Sequence, residues 1–175
     1  MKNKLTKIMI AAGVIAIQPA MAQETPNKET TQQKNNMLIG IHTSDEFEKA
    51  PYSDWYQKEY AEYTPDKASI EALKGTQLNQ SRLTVFIGTW CGDSHREFPR
   101  FMKILHALDF PEDQLTIYAL DRNKQSPDGD EKKFNILRVP TFIIHQDDRE
   151  TGRIIEYPQS GWLEKDLLEI LNRTP

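Results

Sequence analysis

The chain has 175 residues, enough for one domain with its own core, and carries 26 acidic against 22 basic residues for a net charge of −4. That balance argues against nucleic acid or an anionic membrane as the main partner. Its one cysteine, Cys91, excludes any intrachain disulfide, so the core has to hold without a covalent staple.

The chain opens with Lys2, Lys4 and Lys7, an apolar run from Ile8 to Ile17, and the small-x-small signal Ala20-Met21-Ala22. Residues 1–22 therefore read as a secretory signal peptide cleaved after Ala22, with an apolar part too short to span a bilayer. The expected location is periplasmic or extracellular, with no membrane span left after cleavage; an uncleaved N-terminal anchor is the alternative. Taking three lysines from 22 basic residues leaves 19 against 26 acids, a net charge of −7. Residues 23–36 hold no large apolar side chain and read as a disordered tether.

Residues 37–80 read as a helical extension whose Phe47, Trp55, Tyr56, Tyr60 and Tyr63 can share one face. Its second helix is expected from Pro65, with Thr64 as N-cap and Gly75 just past the end. Covering a sheet edge is the favoured role, and holding a partner the other. Residues 81–175 then alternate elements: a strand at 83–88, a helix at 92–108, a strand at 116–120 and a helical turn near Glu131–Asn135. Strands at 141–145 and 153–157 form a hairpin around Asp147-Asp148, and Trp162 to Leu171 reads as an amphipathic closing helix. This order predicts an α/β fold with one parallel crossover and one antiparallel return.

Trp90-Cys91-Gly92-Asp93-Ser94 lies where the first strand of this domain meets its helix. Unpaired N–H groups and the helix dipole at that junction favour a thiolate, the nucleophilic form of cysteine. Asp93 opposes this with its charge, and a protonated His95 would offset it. On a helix Cys91, Asp93 and His95 fan out by about 100° per residue, so a shared metal is not expected. His42, His106 and His145 read as structural or surface residues. Asp147-Asp148-Arg149-Glu150 reads as a polar hairpin tip, and Asp128-Gly129-Asp130 lacks the carboxylate spacing of a calcium loop. No metal and no cofactor are expected.

Four features together resemble the thioredoxin family over residues 83–172, about half of the chain. Trp90-Cys91-Gly92-x-Ser94 is similar to its Trp-Cys-Gly-x-Cys motif. Pro99 matches the proline of the active-site helix, Val139-Pro140-Thr141 matches the cis-proline loop, and Gly161 precedes a closing helix. The resemblance implies a thioredoxin fold, a central mixed sheet flanked by helices. It implies Cys91 as nucleophile, Trp90 as an apolar wall beside the sulfur, and Val139 with Pro140 as a shelf that pairs with an extended substrate. Three departures stand out: Ser94 replaces the resolving cysteine, Asp93 replaces a proline, and the family's buried acid falls at Val85.

A dithiol cycle needs a second thiol to resolve the mixed disulfide, and Ser94 cannot supply one. The expected chemistry is monothiol exchange with protein or low-molecular-weight thiols and disulfides, Ser94 hydrogen-bonding the thiolate. The alternative is a non-catalytic thioredoxin-fold binding module in which Cys91 is a relic. A third reading, a trapping substitution at Ser94 of a Cys-x-x-Cys enzyme, is disfavoured by the native signal peptide. Substrate, regenerating thiol and oligomeric state are not readable.

Overall fold

The computed structural model describes residues 37–173; the expected signal peptide and tether lie outside the described residues. Five strands form one mixed sheet in the order β1-β3-β2-β4-β5: β1 Gly40–His42, β2 Arg82–Ile87, β3 Leu115–Ala119, β4 Thr141–Gln146 and β5 Arg149–Ile155. The helices are α1 Ser53–Glu62, α2 Lys67–Lys74, α3 Gly92–Ala107, the single turn α4 Asp130–Lys133 and α5 Leu163–Asn172. The fold is the α/β, thioredoxin-type layout expected. β2 and β3 run parallel across α3, and β4 returns antiparallel beside β2 with Val85 opposite Phe142. No described helix is long and apolar enough to cross a membrane.

Side chains alternate across the sheet, so consecutive residues of β2 feed two cores. Leu83, Val85 and Ile87 join Phe142, Ile144 and the inner faces of α1, α2, α3 and α5 in the larger one. Phe86 joins Leu120, Ile136, Val139 and Ile143 in a smaller one, against which Trp90 and Cys91 lie partly buried. The candidate nucleophile thus rests on the margin of the smaller core.

The segment 37–80 differs from its all-helical reading. Gly40–His42 is an edge strand, pairing antiparallel with β3 through Ile41 and Tyr118. Its β-branched Ile41 suits a strand, but three residues are too few to show a period. The cap of α2 also moves: Asp66, not Thr64, is the N-cap, its carboxylate accepting from the Ser69 N–H at 2.9 Å and the Ser69 hydroxyl at 2.6 Å. The expected aromatic face exists and is spent inward, with Phe47 and Tyr56 buried and α1 packed along α3. Glu164 of α5, fully buried, ties the segment down by accepting from the Tyr63 hydroxyl and the Asp66 N–H, both at 2.6 Å.

The hairpin turns at Asp147 and Asp148, both with positive φ (48° and 62°), as a tight two-residue turn demands. β5 therefore starts at Arg149, four residues earlier than the apolar pattern at 153–157 indicates.

Candidate functional site

Cys91 is the N-cap residue of α3, with extended backbone at φ −99° and ψ 123°. A turn leads into it from β2: the Cys91 N–H donates to the Gly88 carbonyl at 2.9 Å, and the Cys91 carbonyl accepts from the His95 N–H at 3.0 Å. The Cys91 side chain makes no capping hydrogen bond to the helix-start N–H groups. The thiol itself donates to the Val139 carbonyl at 3.3 Å. The Val139–Pro140 peptide is cis, as expected, and brings that carbonyl to the sulfur from 48 residues away in sequence.

Trp90 walls the site. Its indole N–H donates to the Leu120 carbonyl at 2.9 Å, and the Arg122 guanidinium lies 5.6 Å from its ring centre. The ring covers Gly88 so closely that a Cβ there would sit 2.7 Å from it. Glycine at 88 is thus a packing requirement of Trp90.

Ser94 departs from its expected role. Its fully buried hydroxyl oxygen accepts the Gly88 N–H at 3.1 Å, and no hydrogen bond joins it to Cys91 among the described residues. It fastens the turn before the cysteine, because one helical turn carries its side chain back under the end of β2. Val85 is fully buried and leaves that core position without a titratable group.

Asp93, expected to burden the sulfur with a bare charge, pairs with Arg96 at 2.7 Å. Arg96 also holds the buried Glu97 at 2.6 Å, and Arg100 pairs with Glu59 of α1 at 2.8 Å. The (i, i+3) spacing of Asp93 and Arg96 was a readable signal for that pair. His95 is part-buried: its Nε2–H donates to the Thr89 carbonyl at 2.8 Å, and its ring stacks on Trp55 at 4.4 Å. No local pattern in the sequence pointed to that contact.

The other histidines are dispersed. His42 pairs with Glu46, His106 meets the Tyr60 hydroxyl, and His145 lies 3.4 Å from the Thr84 hydroxyl. Among the described residues no three His, Cys, Asp or Glu side chains are grouped to hold a metal ion.

No protein-family model matches this chain, and no curated protein matches it in sequence. Solved structures do. An HIV epitope scaffold is 17% identical with a TM-score of 0.49, over 70% of this chain and 83% of its own. A Pseudomonas aeruginosa protein of unknown function is 17% identical with a TM-score of 0.46, over 68% and 78%. Mitochondrial thioredoxin 3 from Saccharomyces cerevisiae is 24% identical with a TM-score of 0.39, over 63% and 98%. Thioredoxins are thus among the solved structures to which this chain is similar.

Proposed function

We propose that this chain is an exported thioredoxin-like protein that performs thiol–disulfide exchange through Cys91 alone. The observation that carries the reading is the Cys91 thiol at the start of α3, 3.3 Å from the Val139 carbonyl on the cis-proline loop. In the first step the Cys91 thiolate attacks one sulfur of a substrate disulfide; a Cys91–sulfur bond forms and the other sulfur leaves as a thiolate. In the second, an external thiolate attacks the mixed disulfide, joins the substrate sulfur and releases the Cys91 thiolate. Two electrons pass between partners with no net change in the protein.

Deprotonating Cys91 removes the donor to Val139 and frees that carbonyl. The Val139 N–H makes no hydrogen bond among the described residues. Both groups then suit an extended polypeptide added as a strand, with Trp90 beside its cysteine. Ser94 supports the site through the Gly88 turn.

The test is to incubate the protein with glutathione disulfide and follow the adduct by mass. The reading expects a Cys91-glutathione adduct that persists until an external thiol is added and is absent from Cys91→Ala. An adduct that resolves unaided would sink the monothiol assignment.

A second reading is a binding module that holds an extended partner segment whatever the state of Cys91. It is favoured by a cleft of about 330 Å³ beside the same loop, lined by the exposed Leu137, Ile155 and Tyr157. It expects binding to survive reductant and Cys91→Ala.

A further inference from the structure

The turn that carries Cys91 is gripped from outside its own strand and helix. Thr89, two residues before the nucleophile and 7% exposed, has both its side-chain and its backbone oxygen engaged. Its hydroxyl accepts the Leu38 N–H at 3.1 Å, and its carbonyl accepts the His95 Nε2–H at 2.8 Å. A carbonyl cannot donate, so Nε2 carries a proton in this contact.

The His95 ring is in turn stacked on the Trp55 indole, 4.4 Å between centres and 11° from parallel. Trp55 leans edge-on against Phe47 at 6.3 Å, and the fully buried Phe47 packs against Phe98 of α3 at 4.8 Å. The indole is therefore seated on the core and gives His95 a fixed surface. Pro99 makes such a tie useful: it lacks the N–H that would bond the His95 carbonyl, so the start of α3 lacks one of its own hydrogen bonds there.

From this geometry we infer that His95 and Trp55 are positioning residues for Cys91, and that the segment 37–62 is part of the thiol site. The inference rests on reading Cys91 as the nucleophile. Neither side chain touches the substrate. Each acts through Thr89, fixing the turn that aims the thiol at Val139 and keeps it against the helix start. Residues 81–175 lack Leu38 and Trp55, so they do not contain a complete site.

The experiment uses the whole mature chain and measures the second-order rate of Cys91 with glutathione disulfide at neutral pH, together with amide exchange at Cys91 to His95. His95→Phe keeps a ring against Trp55 and removes the donor. His95→Gln supplies an amide donor at a similar reach. The expected result is a rate about fivefold lower in His95→Phe, the equivalent of one neutral hydrogen bond, with faster amide exchange. In His95→Gln both return to within about twofold of wild type, a rescue that a merely structural loss would not give. Trp55→Leu is expected to reproduce part of the loss.

A folded His95→Phe with wild-type rate and exchange overturns the inference, as does a failure of His95→Gln to restore either. If wild-type Cys91 reacts no faster than in the unfolded chain, the thiol-exchange reading fails and with it the inference that rests on it. The amide exchange then reports only whether the brace exists.

Discussion

The Ser94 hydroxyl accepts the Gly88 N–H at 3.1 Å, closing the turn between β2 and α3 from beneath the cysteine. The residue standing where a dithiol protein has its second sulfur therefore has a structural task here. Ser94→Ala leaves a buried N–H without a partner, at a cost of about 1–3 kcal/mol. Denaturant unfolding should show that loss, and because the same turn holds Cys91, its alkylation rate in the folded protein should fall by about fivefold. A lowered midpoint with an unchanged rate would show that the Gly88 turn does not position the sulfur.

Gly88 is the next test. A methyl group there meets the Trp90 ring at 2.7 Å, and the ring cannot swing away without giving up its 2.9 Å bond to Leu120. Gly88→Ala should cost about 1–3 kcal/mol by overpacking and alter tryptophan fluorescence. An unchanged spectrum and midpoint would mean that the indole is not seated as described.

Glu164 carries the attachment of the N-terminal segment to α5. Burial first, and the bond to Glu164 second, push the Tyr63 hydroxyl well above the usual tyrosine range, so it remains a donor at all ordinary pH. Glu164→Ala orphans two donors and should cost at least about 3 kcal/mol. Glu164→Gln, with one acceptor oxygen left, should fall between. Thermal unfolding of the two variants checks the order, and a tolerated alanine would contradict it.

His145 links stability to pH. Burial, helped by Arg82 and Arg153 and opposed by Glu150 and Asp148, holds its imidazole below the ordinary value of 6.5. Below that pH the unfolded chain takes up a proton that the folded chain resists, so this contribution is present above about 6.5 and lost as pH falls beneath it. His145→Gln should therefore lose less stability than wild type between about pH 7.5 and 5.5. Urea midpoints at the two pH values read the difference, and parallel changes would dismiss His145 as a source.

Much of the domain was legible where chemistry is local. The strand-to-helix junction at Cys91, the Asp147-Asp148 turn and the closing helix each carry their signal within a few residues, whereas the cis bond before Pro140 was expected only from the family resemblance of Val139-Pro140-Thr141. β1 was not legible, since three strand residues lack a period. Asp66 displaced Thr64 as a cap because the choice between capping residues two positions apart depends on which one meets Ser69. The bracing of Thr89 by Leu38 and, through His95, by Trp55 spans long sequence separations and is fixed only once α1 packs on α3. Ser94 was placed on the right turn but given the wrong partner, because spacing fixes a helix face and not the atom a hydroxyl meets.

The central claim is a reactive thiol at Cys91. The most direct measurement is its alkylation rate at neutral pH in the folded chain, set against the same chain unfolded in urea. Faster reaction in the folded state is the predicted result, because the turn at Gly88 presents the partly exposed sulfur at the start of α3, beside the cis-proline loop. A folded-state rate equal to or below that of the unfolded chain would contradict the account and leave the fold as a binding scaffold.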